Sequence, residues 1–359
     1  MEQQEQHAPL CVRTLTRGAE RGAPDFPALL RGFALPLDAQ TLGDAARQLV
    51  ADCPSLPQPG SGRTLARWQF LSGLAGHDLS LAKIYEAHAD ALAIHAELDT
   101  PRAAAAGCAQ PEIWGVWAAR PPRSELCFAS RHGDQVSLSG VKPWCSGAAF
   151  VTHALVTCVD GDGHDWLAAL AIDQPGVTVT ARGWEAVGMA ATQSVEVDVL
   201  DARATLIGQS GAYLRRRGFW HGGAGIAACW YGAAAALAVR LRQAAQRRDD
   251  PHLEAHLGAA DTALCAARAL LRETAHTLDA SPLADAMPLA LRVRAATESA
   301  VEVTLRACAR SLGAGPLCRD RWFARMAADL PVFVRQSHAE HDLAGLAKQI
   351  AAAAEDWSL

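Results

Sequence analysis

The chain carries no paired-cysteine signature, no recognisable export signal and no uninterrupted apolar run, and each absence removes a class of protein. Ten cysteines are scattered at positions 11, 53, 108, 127, 145, 158, 229, 265, 308 and 318. None forms a Cys-x-x-Cys pair or has zinc-ligand spacing, so no structural metal is expected. The opening residues Met1-Glu-Gln-Gln-Glu-Gln-His7 lack the basic and apolar regions of a signal peptide. No apolar run reaches the roughly 18 residues of a membrane span without a glycine or a charge. Scattered thiols without an export signal lead to the expectation of a cytoplasmic protein. The formal net charge of −5 provides no field that would favour nucleic acid or an anionic membrane. There is no Gly-x-Gly-x-x-Gly after a strand, no Walker loop and no Gly-x-Ser-x-Gly elbow, so NAD, ATP and serine-hydrolase chemistry are not indicated.

What is present is a globular chain of 359 residues, 50% hydrophobic and 20% charged, long enough for two or three domains. Three zones differ in texture. Residues 37–98 carry a helical pattern, with Leu37–Gly43 opening one helix, a Pro/Gly/Ser loop at Pro54–Ser61, and an amphipathic segment Leu79–Leu98 closed by Thr100-Pro101. From about 110 to 203 the period changes to two. Strands are expected at Val136–Gly140, Thr152–Val159, Trp166–Ile172, Val177–Thr180 and Val195–Leu200, at the spacing of a small sandwich or barrel. Alanine-rich helices follow at Phe219–Gln246, Pro251–Asp279, Pro282–Leu312 and Asp329–Ala354. The expected fold class is therefore α+β: a helical domain over 1–109, a β-sandwich or barrel over 110–206, and a helical bundle over 207–359.

Within the β zone, Leu138-Ser-Gly-Val-Lys-Pro-Trp-Cys-Ser-Gly147 reads as a strand and turn. Side chains alternate along a strand, which would place Trp144 and Ser146 on one face. An aromatic plane beside a hydroxyl suits a flat heteroaromatic ring; an indole packed into a core explains Trp144 equally. The segment Gly140–Gly147 resembles the flavin-contacting strand of the acyl-CoA dehydrogenase superfamily, and the likeness extends over residues 37–354. It implies that Trp144 lies against the isoalloxazine of FAD and that Ser146 bonds its pyrimidine side. Trp114-Gly-Val-Trp117 is similar to the family's preceding flavin-binding strand, which implies contacts from Trp114, Val116 and Trp117, with Trp117 replacing the usual threonine. Trp184–Ser194 resembles the turn that closes the β domain. Ser311–Pro316 is similar to the turn that approaches the adenosine end of FAD from a neighbouring subunit, implying roles for Arg310, Gly313 and Gly315. Arg247 and Arg248 either meet the FAD pyrophosphate or sit in solvent at a helix end. A homodimer or homotetramer is implied as well.

The resemblance implies α,β-dehydrogenation of an acyl thioester such as an acyl-CoA, with hydride passing to flavin N5, and this chemistry needs a base for the α-proton. The register puts Ser337 at the family's usual base position and Arg216 at its second one, and neither is a base at neutral pH. Glu340 and His338 are the candidate substitutes, while Ser337 and Glu340 also have the spacing of a helix capping box. Glu86, His88 and Asp90 lie on the 79–98 segment, either facing the acyl pocket or forming a solvated face. His252 and His256 are an i, i+4 pair without a third ligand and read as a surface helix. Three readings remain open: an acyl-CoA dehydrogenase-like oxidoreductase, a flavin-dependent monooxygenase of the same fold, and a catalytically silent subunit or binding protein.

Overall fold

The computed structural model describes residues 25–98, 112–120, 125–352 and 357. The expected helix stop at Thr100-Pro101, the domain boundary near 109/110, and the residues at 1–24 and 353–356 lie outside that description.

Helix α1 (Ala39–Asp52) starts where Asp38 accepts the N–H groups of Gln40 and Thr41 while the Thr41 hydroxyl accepts that of Asp38. This reciprocal capping satisfies donors that the first helical turn leaves unpaired. The Pro54–Ser61 loop leads to α2 (Thr64–His77), and α3 (Leu79–Leu98) follows. At the start of α3, the buried Asp78 accepts from Leu81 N at 2.9 Å and from Leu37 N at 2.9 Å. Burial pushes its carboxyl up to about 6. The expected amphipathic character of α3 is not what the structure shows. The helix is buried on nearly every side, Glu86 and His88 included, because the β domain covers one flank and α2 and the bundle the other. A solvated polar face is thereby ruled out for these two residues.

The middle zone is a closed barrel. Strands β1 (Trp114–Trp117), β2 (Leu126–His132), β3 (Gln135–Cys145), β4 (His153–Val159), β5 (Asp165–Ala171), β6 (Val177–Val179) and β7 (Val195–Leu206) run in the order β1-β4-β2-β3-β7-β5. Pairing of β4 with β5 closes the ring, and β6 adds to β7. Strands β1 and β2 take successive stretches of β4, as Trp114–Trp117 pair with His153–Val156 and Leu126–Cys127 with Cys158–Val159. β2 was not read from sequence; most of it is exposed, so the two-residue alternation is faint.

The bundle comprises α4 (Gly218–Ala245), α5 (Pro251–Ala280), α6 (Met287–Leu312), α7 (Arg321–Phe333) and α8 (Glu340–Ala352), with a short helix at Ala314–Arg319. Helix α4 is apolar enough by composition to cross a membrane, but 61% of its most apolar window is buried within the protein. Helix α6 starts at Met287 and not at Pro282, since the Asp285 carboxylate accepts Met287 N and sets the first turn there. The single helix expected over Asp329–Ala354 is two. Helix α7 ends at Phe333, a 3₁₀ turn covers Val334–Gln336, and Ser337 is extended. Local side-chain bonds compete with helix at this point. Ser337 Oγ accepts from Ala339 N, Asp342 accepts from His338 N, and Ala339 sits at φ +46°. The cap is therefore built from Ser337 and Asp342, without the expected Ser337–Glu340 box.

One carboxylate ties the three zones together. Asp329 on α7 accepts from Met189 N of the barrel at 2.5 Å and from Ser80 Oγ of α3 at 3.2 Å, and pairs with Arg325 Nε at 2.9 Å. The preceding residue, Gly188, lies so close to α7 that a Cβ there would come within 2.1 Å of Ala328 O. Only glycine allows this contact.

Candidate active site

The turn after β3 packs on α3, where a Cβ at Gly147 would come within 2.9 Å of Ile84. The expectation that Trp144 and Ser146 share a strand face does not hold. β3 ends at Cys145, its register with β7 shifts between Lys142 and Cys145, and Trp144 adopts φ +56°. Beneath the shift Lys142 is buried, donating to Ala119 O, Thr157 O and Thr157 Oγ1 at 2.7–3.2 Å. Burial lowers its ammonium to about 8. Trp144 is 51% exposed, so it is no core residue. A bulky side chain in the left-handed region is rare and costs about 1–3 kcal/mol. Neither its exposure nor its backbone is accounted for by packing.

Ser146 lies just past the strand end and is held from both sides. Its carbonyl accepts from Trp117 Nε1 at 3.1 Å, and its hydroxyl lies 2.7 Å from Ser194 Oγ. Ser194 is in turn 2.8 Å from Thr192 Oγ1, which donates to Met189 O at 2.7 Å. Trp117 is 2% exposed and its indole N–H is spent on Ser146, which leaves its side chain no donor for a flavin. Its effect is to fix the Ser146 backbone. Trp114 is similarly occupied. Its indole donates to Glu112, stacks on His153 at 4.7 Å and meets His95 edge-on at 4.6 Å. Its main-chain N–H goes to His88 Nδ1 at 3.3 Å, and burial holds that imidazole down at about 4, hence neutral. Val116 packs with Ala91, Ile94 and Leu155 beneath α3.

The interface between α3 and the bundle is charged. Glu86 is buried with Lys83 Nζ at 3.9 Å, and Asp90, Arg67 and Arg294 act on it electrostatically. Burial pushes the Glu86 carboxyl upwards, with Lys83 opposing. Arg216 is buried; it reaches Asp90 at 3.4 Å and Glu97 at 3.3 Å, and its Nε has no partner. Glu97 also accepts from Gly218 N at the start of α4. Arg294 lies over the Trp230 ring at 4.9 Å and donates to Gly223 O and Gln336 O. Arg67 and Arg294 were not singled out from sequence. The available signal was a lone arginine in the buried stripe Ala290, Leu291, Val293, Thr297 and Val301.

Ser337 is buried and lines a cavity of about 320 Å³ with Arg294, Glu298, Glu340 and Asp342. Glu340 lies on the exposed rim. The His338 side chain is 74% exposed and turns to Asp342, 3.4 Å away. Arg247 and Arg248 are exposed just beyond the end of α4, and Arg310, Gly313 and Gly315 are exposed at the end of α6. All five are surface groups in a single chain. His252 is exposed on α5 and His256 half-buried there. Asp160, Asp162 and His164 cluster at the β4–β5 turn, where bonds from Trp166 Nε1 and from the N–H groups of His164 and Asp162 hold Asp160 down at about 2. Those bonds account for the cluster as a turn.

No family model matches the sequence and no curated protein matches it. Solved structures do resemble it. A probable acyl-CoA dehydrogenase from Mycobacterium abscessus has a TM-score of 0.73 at 16% identity, covering 94% of this chain and 98% of that one. TdsC from Paenibacillus sp. A11-2, a dibenzothiophene monooxygenase, gives 0.71 at 15% identity in its complex with FMN and indole, covering 95% and 93%. The methanesulfinate monooxygenase MsuC from Pseudomonas fluorescens gives 0.67 at 19% identity, covering 94% and 92%. The fold is that of the acyl-CoA dehydrogenase-like flavoproteins.

Proposed function

We propose that this chain is a flavin-dependent monooxygenase of the acyl-CoA dehydrogenase fold, acting on a small polar substrate. The observation that carries the reading is Ser337. The position where the resemblance implies a carboxylate base holds a buried hydroxyl that accepts from Ala339 N, and the second base position holds the buried Arg216. A catalytic base must reach the proton it abstracts, and His338 points into solvent. Reduced flavin and O₂ supply one oxygen atom to the substrate and one to water, and this chemistry needs no α-carbon base.

The residues present fit a flavin: Trp144 offers an exposed indole, and two residues on, Ser146 offers a half-buried hydroxyl. FAD, implied by the resemblance, would call on Arg247, Arg248, Arg310, Gly313 and Gly315, which are exposed to a second copy in a homodimer or homotetramer. FMN, bound in the TdsC structure, lacks the adenosine end that Arg310, Gly313 and Gly315 would meet, while its phosphate would still call on Arg247 or Arg248. The buried or half-buried charges Arg67, Glu86, Asp90, Arg216 and Arg294 support the polar substrate class. Buried charges are costly unless paired, and a fatty acyl chain laid among them would strip their remaining solvation without replacing it. One observation favours the alternative, dehydrogenation of an acyl thioester: Glu340 lines the same cavity as Ser337.

Tryptophan emission followed during anaerobic titration with photoreduced FMN and FAD tests the reading. Saturable quenching is expected with at least one of them. Protein that binds neither, oxidised or reduced, would be a silent member of the fold.

A further inference from the structure

The hydroxyl chain that starts at Ser146 has a fixed direction. Four oxygens stand in a row, Ser146 Oγ, Ser194 Oγ, Thr192 Oγ1 and Met189 O, with successive separations of 2.7, 2.8 and 2.7 Å. Oxygens this close need a proton between them. A carbonyl has none to give, so the Thr192 proton occupies the contact with Met189 O. The Ser194 proton must then fill the contact with Thr192, and the Ser146 proton the contact with Ser194. Three contacts consume three hydroxyl protons. Thr192 and Ser194 are buried, at 0% and 3% exposure, so water does not compete for them. Ser146 is half-buried, and it has only lone pairs left for whatever lies beyond it.

We infer that Ser194 and Thr192 are positioning residues that make Ser146 an obligate hydrogen-bond acceptor, so that a ring docked at this turn must meet it with an N–H. The inference rests on the flavin reading for the identity of that ring. Two flavin groups qualify. N3–H is present in both redox states; N5–H exists only in reduced flavin, because oxidised N5 is itself an acceptor and would face the Ser146 lone pairs. Trp117 supports the arrangement by holding the Ser146 carbonyl, which fixes the backbone from which the hydroxyl projects.

The test has a part that needs no flavin. Neutron diffraction from deuterium-exchanged crystals should place the Ser146 deuteron in the contact with Ser194; a deuteron pointing away from Ser194 overturns the proposal. Flavin binding supplies the second part. Wild type should discriminate by about 3- to 10-fold, the worth of one neutral hydrogen bond. If N3–H is the partner, FMN is preferred over 3-methyl-FMN; if N5–H is the partner, photoreduced FMN is preferred over oxidised FMN. Ser146→Ala and Ser194→Ala should both erase the preference, and Ser194→Thr, which keeps the hydroxyl, should restore it. Equal binding of all three ligands by wild type, or an unchanged preference in Ser194→Ala, overturns the proposal. Failure of wild type to bind any flavin would instead remove the flavin reading, and the deuteron position would still decide the direction of the chain.

Discussion

Replacing Trp144 by glycine is expected to stabilise the apoprotein while weakening flavin binding. The two effects have opposite signs because the residue is unfavourable for the fold. It is 51% exposed, so only part of its surface is packed, and its φ of +56° is a conformation glycine adopts freely. Relief of that strain is worth about 1 kcal/mol or more. Loss of an aromatic platform under a stacked heterocycle costs about 1–3 kcal/mol, so the flavin dissociation constant should rise roughly 5- to 150-fold. Thermal melts of the apoprotein and fluorescence titrations with flavin measure the two effects separately. A lower melting temperature with unchanged flavin affinity would make Trp144 a structural residue after all.

Asp329→Ala should be the most damaging single substitution away from the cleft. It leaves Arg325 without its partner and deprives Met189 N and Ser80 Oγ of their acceptor. Breaking a buried pair on one side costs about 3–5 kcal/mol, a large share of the roughly 5–15 kcal/mol that holds a domain folded. Because those bonds join α3, the barrel and α7, the loss should appear as a lower urea midpoint for the whole chain. A midpoint within error of wild type would show that the three zones are held by apolar packing alone.

The long helices were legible because alanine propensity and regular apolar spacing coincide in them. Their ends were less so where a distant side chain sets the boundary. The break between α7 and α8 depends on Asp342 capturing the N–H of His338 and on the positive φ of Ala339, and neither leaves a trace in periodicity. The candidate site divides in the same way. Trp144 and Ser146 could be read from their motif, but the register shift that separates them from the regular strand could not. Ser194 sits 48 residues from Ser146, and only the antiparallel pairing of β3 with β7 brings the two hydroxyls together. The buried charges of α3 were visible as residues and not as a site. Whether Glu86 and Asp90 face solvent depends on the elements that cover the helix.

The central claim is that this flavoprotein fold has given up α-proton abstraction for chemistry that starts from reduced flavin and O₂. Absorbance of the flavin-loaded protein, followed anaerobically on addition of acyl-CoAs of short, medium and long chain, tests it most directly. With Ser337 and Arg216 at the base positions, the oxidised flavin band should remain unchanged with every acyl-CoA. Bleaching by any one of them would contradict the account, and its loss in Glu340→Gln with flavin content retained would identify the carboxylate responsible.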